Sequence, residues 1–246
     1  MVFVPLSDDN PRLLIRYPYV SWGLIAVNVG IYVFFQSNLF FADDDRTAYG
    51  FGAIPAVMFG TAMLPEDLAA APGFWPLLTS QFVHADLLHL VGNMLFIFVF
   101  ADNIEDSMGH VRFLVFYLLC GAAGAALHAF AMPLSEAPLV GASGAISGVV
   151  ASYLLLHPRV KMWILLLGRI PLKVTAFWII CAWAAVQALS AVTGAEEDVG
   201  WFAHLGGVLF GILLTPLFKR ADVPWFGRAP KTIQGLPYGP TSGPPA

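Results

Sequence analysis

Charged residues and cysteines are both scarce in this sequence. Only 11% of its 246 residues are Asp, Glu, Lys or Arg, whereas 58% are hydrophobic and the mean hydropathy is +0.74. This balance argues against a soluble domain, a disordered chain and a nucleic-acid-binding protein, since each of these needs far more charge. The two cysteines, Cys120 and Cys181, lie inside apolar runs, so we interpret them as small hydrophobic residues and not as a disulfide or a metal site.

Long uncharged stretches are abundant instead. About 20 apolar residues in a helix cross a hydrocarbon core of about 30 Å. Six stretches of this kind predict an all-α, polytopic membrane protein, a bundle of six transmembrane helices. They are residues 17–41, 87–101, 113–132, 142–156, 174–193 and 201–218.

The remaining segments are predicted to lie outside the spans. Residues 68–85 contain Pro72 and Pro76, which would break a spanning helix, so we expect an interfacial loop or a short re-entrant element. Residues 162–167 are too short to cross and are expected at the surface. The chain thus divides into a short cytoplasmic N-terminus (1–16), a membrane domain (17–218) and a flexible, Pro/Gly-rich cytoplasmic tail (219–246).

The placement of lysine and arginine predicts the orientation, because cytoplasmic loops retain positive charge. With six spans both termini share a side, and placing them in the cytoplasm leaves only Arg46 outside. The cations then placed inside are Arg12, Arg16, Arg112, Arg159, Lys161, Arg169, Lys173, Lys219, Arg220, Arg228 and Lys231. We therefore expect an integral protein of a bacterial inner membrane with both termini in the cytoplasm.

Polar side chains occur at one common depth in three of the spans. His89 and Asn93 share a helix face because they are four residues apart. A rise of 1.5 Å per residue places His89 about 18 Å, Ser143 about 20 Å and His204 about 21 Å from the inner ends of their spans. Against a core of about 30 Å, all three lie roughly 10 Å below the outer surface. Coincident depth allows a single buried polar site.

The residue types at this depth suit nucleophilic catalysis. Ser143 would be the nucleophile and His204 the base that accepts its proton. His89, Asn93 and the backbone N–H of Ser143 would stabilise an oxyanion, while Gly141 and Gly144 would let the backbone pass close by. No carboxylate lies in the fourth or sixth span, so the pattern predicts a Ser-His dyad without cofactor or metal.

Simpler interpretations of the same residues stay open. Ser143 and Ser147 among glycines could be small residues that let helices approach, and Gly207 and Gly211 favour packing over chemistry. His204 alone could be structural or part of a proton relay. A metal site built from His84, His89 and His204 lacks the usual ligand spacing of zinc enzymes.

The ordered set of motifs resembles the rhomboid intramembrane serine proteases. The motifs are His84-x4-His89-x3-Asn93, Gly141-Ala142-Ser143-Gly144 and His204-x2-Gly207-x3-Gly211, on the second, fourth and sixth spans. The resemblance implies a six-helix rhomboid-like bundle, Ser143 as nucleophile, His204 as base, and His89 and Asn93 on the oxyanion. It implies supporting roles for His84 and the motif glycines, a structural role for Glu105, and a membrane-embedded loop over residues 68–85.

The resemblance also implies a function. We expect an intramembrane serine endopeptidase that cleaves transmembrane protein substrates within the lipid bilayer, with no nucleic-acid partner. Two rivals are a non-catalytic rhomboid-like protein that binds membrane helices and a transporter or proton channel. Two departures from the family pattern are Pro76 after Trp75, where some members have arginine, and Ser147, where some have a tyrosine that stacks on the catalytic histidine.

Overall fold

A computed structural model describes residues 3–40, 45–68, 71–193 and 200–227. The description below concerns these ranges. The helices are α1 (Tyr19–Ile31, extended by π-helical turns over Tyr32–Gln36), α2 (Arg46–Phe51), α3 (Pro55–Met58), α4 (Pro76–Thr79), α5 (Leu87–Phe96, extended over Ile97–Ala101), α6 (Asp102–Met108), α7 (His110–Ala131), α8 (Ser143–Leu156), α9 (Ala176–Thr193) and α10 (Trp201–Phe218). The strands are β1 (Phe3–Asp8), β2 (Lys161–Leu166) and β3 (Ile170–Thr175).

The structure is mostly helical, and five helical stretches in the described residues are long and apolar enough to cross a membrane. These are Tyr19–Gln36, Leu87–Met108, His110–Ala131, Ala176–Thr193 and Trp201–Phe218. The fourth predicted span, α8, has only 14 residues, which corresponds to a rise of about 21 Å. Helix α8 is short because it begins only at Ser143, directly after a turn at Gly141.

Glycines bring the backbones of α7, α8 and α10 into direct contact. A Cβ on Gly207 would lie 1.9 Å from the carbonyl oxygen of Gly144, and a Cβ on Gly211 would lie 2.5 Å from that of Gly148. Only glycine permits such close backbone approach between helices. The predicted packing role of Gly207 and Gly211 is therefore present, and it sets α10 against α8.

A three-stranded antiparallel sheet, in the order β1-β2-β3, corrects the all-α prediction. Phe3 pairs with Leu166, and Lys161 pairs with Thr175. In β2 the side chains of Met162 and Ile164 are buried while Trp163 is exposed, which is the alternation of a half-buried strand. This alternation is not visible in the sequence, because Trp163, the exposed residue between Met162 and Ile164, is also apolar.

Buried carboxylates attach the N-terminal segment to α6. Asp106 accepts hydrogen bonds from the backbone N–H groups of Leu13, Leu14 and Ile15. Glu105, fully buried, accepts from the N–H groups of Val20 and Ser21, from the Ser21 hydroxyl, and contacts His110 Nδ1 at 2.5 Å. This position of Glu105 suits the structural role that the resemblance implied.

The chain after α10 continues against the bundle. The N–H of Arg220 donates to the carbonyl of Ser107, that of Phe226 donates to Leu155, and Val223 is buried. The start of the predicted flexible tail, residues 219–227, is therefore held against the bundle by these contacts, although five of its nine residues are exposed. The rest of that predicted tail, residues 228–246, lies outside the described residues.

Candidate active site

The start of α8 holds Ser143 beside a glycine turn. Gly141 adopts φ +118°, a backbone conformation that disfavours any residue with a Cβ. An ideal Cβ at Gly141 would also lie 2.7 Å from Nε2 of His89. Glycine is thus required twice, for the turn that begins α8 and for the approach of the His89 ring. Ser143 lies in the first turn of α8, where a backbone N–H has no acceptor within the helix.

His204 lies one turn into α10 and faces Ser143. Its Nε2 atom lies 2.8 Å from Ser143 Oγ, which is hydrogen-bond distance. The glycine contacts between α8 and α10 produce this distance, because they hold the two backbones together just beyond the pair. The structure therefore brings together the two residues that the sequence placed at one depth.

The other face of His204 contacts residues that the sequence analysis did not select. His204 Nδ1 lies 2.9 Å from Oε1 of Gln187 on α9, and the Trp201 ring stands edge-on to the imidazole at 5.9 Å. Ser147, at the position of a family tyrosine, instead donates its hydroxyl to the carbonyl of Ser143 at 2.7 Å. The one available signal for Gln187 was that it carries the only side-chain amide in the predicted span 174–193.

Asn93 and His89 line the same turn. Asn93 is 7% exposed, and its Nδ2 is buried without a hydrogen-bond partner among the described residues. This nitrogen would be 3.5 Å from a Cβ placed on Gly141, next to the start of α8. Asp86 caps α5 by accepting the N–H of His89 at 2.8 Å, and this fixes the helix that carries both side chains. A buried donor without a partner is available to a reacting group.

His84 lies behind His89. Its ring is 1% exposed and packs edge-on against His89, with ring centroids 5.3 Å apart. The Gln36 side chain holds the His84 backbone, accepting its N–H at 3.1 Å and donating to its carbonyl at 2.6 Å. His84 therefore packs against His89, and the structure places no contact between its side chain and Ser143 among the described residues.

The segment before His84 has the short, broken form expected of a re-entrant element. Pro76 begins α4, which continues as a 3-10 turn over Ser80–Phe82. Gln81 is buried and donates to the carbonyls of Leu77 and Leu118, so the segment is tied to α7. Pro76, the departure after Trp75, thus begins a helix, where proline is favoured.

A metal site finds no geometric support in the part of the chain described here, where no three His, Cys, Asp or Glu side chains converge as ligands. A hydroxyl hydrogen-bonded to an imidazole, with a free amide donor nearby, is instead suited to acyl transfer to serine.

Known proteins are similar to this chain over much of its length. A family model described as the Rhomboid domain matches residues 71–221. Rhomboid-like protein 11, chloroplastic, of Arabidopsis thaliana is 30% identical over 224 residues, which are 87% of this chain and 70% of that protein. RHOMBOID-like protein 6, mitochondrial, of the same plant is 31% identical over 140 residues, or 57% of this chain. Presenilin-associated rhomboid-like protein A, mitochondrial, of Danio rerio is 33% identical over 144 residues, or 56% of this chain.

The matched regions differ in extent. The chain spans 42% of the length of the mitochondrial plant relative and 36% of that of the fish relative. The relatives named here are plant and fish proteins with mitochondrial or chloroplastic names, so they support an integral membrane protein without supporting the bacterial inner membrane expected above.

Proposed function

The chain belongs to the rhomboid family, and from that premise we propose that it is an intramembrane serine endopeptidase. It hydrolyses peptide bonds in or next to the transmembrane helices of substrate proteins. The observation that carries this proposal is the 2.8 Å hydrogen bond between Ser143 Oγ and His204 Nε2. The same proposal adds α8 to the five longer helices as a shorter span, the fourth along the chain, and puts both termini on the side of the membrane that carries most of the lysines and arginines.

The reaction follows from the positions of these groups. Ser143 Oγ attacks the scissile carbonyl carbon while His204 Nε2 takes the hydroxyl proton. The oxyanion accepts hydrogen bonds from the Ser143 N–H and from Asn93 Nδ2, with His89 beside them. His204 then gives the proton to the leaving amine, the peptide bond breaks, and an acyl-enzyme remains. Water, deprotonated by His204, hydrolyses the ester and regenerates Ser143.

Substrate selection follows from the chemistry of a helix. An intact transmembrane helix hides its carbonyls in i to i−4 hydrogen bonds, so the scissile region must unwind before attack. Substrates with helix-breaking or small residues near the outer ends of their spans should therefore be cleaved fastest.

Replacement of Ser143 tests the proposal. Ser143→Ala should abolish cleavage of a model transmembrane substrate in detergent or liposomes, because the nucleophile is lost. It should also abolish labelling by a fluorophosphonate probe, and His204→Ala should reduce labelling. The matched control is Ser152→Ala on the same helix, a buried serine whose hydroxyl contacts Thr215 Oγ1 at 2.9 Å. This control should cleave at the wild-type rate with only a small loss of thermal stability.

Three outcomes would overturn the assignment. Cleavage retained by Ser143→Ala would mean that another group is the nucleophile. A wild-type protein that binds membrane helices without turnover or labelling would be a non-catalytic rhomboid-like protein. Ion or solute flux in liposomes without labelling would indicate a transporter.

A further inference from the structure

Gln187 is unusual among the residues of α9. The buried residues of this helix are Ala176, Ile179, Ile180 and Gln187, so no other residue from Cys181 to Thr193 is buried. Gln187 is 6% exposed although its amide is the most polar group on the helix. Burying an amide in an apolar setting is costly unless a hydrogen bond compensates. The partner that compensates it is the general base of the proposed reaction.

The hydrogen bond selects one tautomer of that base. Oε1 of Gln187, an acceptor, lies 2.9 Å from Nδ1 of His204. A neutral imidazole carries one N–H, so a hydrogen on Nδ1 leaves the lone pair on Nε2. Nε2 is the atom 2.8 Å from Ser143 Oγ, and only a free lone pair there can take the hydroxyl proton.

Resting on the proposed function, we infer that Gln187 is a positioning residue for the Ser143–His204 pair. It fixes the tautomer and ring orientation of His204 and does not touch the reacting atoms. Together with the edge-on Trp201 ring, it holds His204 from α9 and α10. Some family members support this histidine with a stacking tyrosine on the fourth span. This chain has Ser147 at that position, so Gln187 and Trp201 would take over the support.

Two substitutions of similar length separate positioning from packing. Gln187→Met keeps the unbranched shape and removes the acceptor, so kcat should fall roughly 10- to 100-fold with KM little changed. Gln187→Glu keeps the acceptor, so it should retain most of the wild-type kcat. Its negative charge stabilises the imidazolium, so the acidic limb of the pH–kcat profile should move to higher pH by about one unit. His89 on α5 and His128 on α7 also interact electrostatically with His204, and both are unchanged in these variants.

The matched control applies the same change to a second buried glutamine. Gln81→Met removes hydrogen bonds to the backbone carbonyls of Leu77 and Leu118, so it should lower thermal stability without moving the pH profile. If Gln187 only filled space, the apolar Met would be the better substitute and Glu the worse one. Activity of Gln187→Met equal to or above that of Gln187→Glu would overturn the inference.

A measurement independent of turnover separates this inference from the proposed function. The ¹⁵N chemical shifts of the His204 ring report which nitrogen carries the hydrogen. We expect protonated Nδ1 in the wild-type protein and a mixture of tautomers in Gln187→Met. Identical ring shifts in the two proteins would reject the positioning role even if Ser143 proves to be the nucleophile. The expected shift difference would support it even if the protein does not cleave.

Discussion

At the scale of single residues, the buried Nδ2 atom of Asn93 has no hydrogen-bond partner among the described residues, and the proposed reaction would supply one. A buried donor without a partner costs about 1–3 kcal/mol, and Asn93 Nδ2 has none in the described part of the chain. A substrate oxyanion would supply the missing acceptor. The hydrogen bond that Nδ2 lacks in the resting protein would then form in the proposed transition state and stabilise it.

Replacement of this donor should therefore separate catalysis from stability. Asn93→Ala should lower kcat about 100-fold with little change in KM, because the donor acts on the transition state. Its thermal unfolding temperature should be equal to or above that of the wild type, since no hydrogen bond of Nδ2 is lost and an unpaired buried donor is removed. Cleavage kinetics and thermal unfolding in detergent measure the two quantities.

The control for Asn93 is an asparagine whose side chain should matter for stability and not for catalysis. Asn28 Nδ2 donates to the carbonyl of Leu24 within α1, so Asn28→Ala should lower stability and leave kcat unchanged. If the kcat of Asn93→Ala stays within threefold of the wild-type value, the proposed role of Asn93 Nδ2 as an oxyanion donor is wrong.

The site residues differ in how far the sequence could predict them. Ser143 and His204 share a depth that follows from helical rise, and His89 and Asn93 share a face that follows from periodicity. Their proximity in the structure agrees with that arithmetic, and their catalytic roles stay predictions. Gln187 was not predictable in the same way, because the hydrogen-bond partner of a lone amide in a mostly apolar span is known only once two helices are placed side by side.

At the scale of elements, the close packing of α8 and α10 determines the geometry of the site. The backbones touch at Gly144 and Gly207, three residues beyond His204. Any side chain there pushes the helices apart and lengthens the distance from Ser143 Oγ to His204 Nε2. We therefore expect helix packing at Gly207 and the proposed catalysis to be coupled.

A methyl group at Gly207 tests that coupling. Gly207→Ala should reduce both cleavage and thermal stability, since the added Cβ would lie 1.9 Å from a backbone oxygen that has little room to move. A loss of roughly 1–3 kcal/mol is typical of overpacking. Cleavage rate and unfolding in detergent are the measurements.

Gly23→Ala on α1 is the matched control, because a Cβ there meets no atom within 4 Å among the described residues. This variant should behave as the wild type. Unchanged cleavage in Gly207→Ala would show that α8 and α10 can separate without disturbing the site.

The elements themselves were predictable where hydrophobicity is continuous. Each predicted span overlaps a helix, although only five of these helical stretches in the described residues are long and apolar enough to cross a membrane. Uncharged stretches of this length have few alternatives in a bilayer. The sheet was not predictable, since its strands are short and β1 pairs with a strand about 160 positions away, with Phe3 opposite Leu166. Alternation in β2 is also masked by Trp163, which is both apolar and exposed.

At the scale of the whole molecule, polar contacts join the sheet to one end of the bundle. The carboxylate of Asp8 on β1 accepts a hydrogen bond from the Tyr153 hydroxyl on α8 and another, at 3.1 Å, from Asn103 Nδ2 on α6. Arg12 pairs with Asp102 at 2.9 Å in the same region. The N-terminal segment is thus bound to α8 at the end opposite Ser143.

The protonation of Asp8 should make the stability of the whole domain depend on pH. Burial raises the pKa of Asp8 from 3.8 to about 6, and the hydrogen bond from Tyr153 offsets only part of that rise. The folded protein therefore holds the Asp8 proton more tightly than the unfolded chain, so stability should fall as pH rises from about 4 to about 6.

The variant Asp8→Asn tests this prediction, because it keeps an acceptor for Tyr153 and removes the charge. At pH 8 it should be more stable than the wild type by about 2 kcal/mol, and at pH 4 the two should be nearly equal. Thermal unfolding at both pH values measures the difference, with Asp9→Asn, at the exposed ion pair with Lys173, as the control. A wild-type protein more stable than Asp8→Asn at pH 8 would mean that the ionised carboxylate stabilises the junction of sheet and bundle.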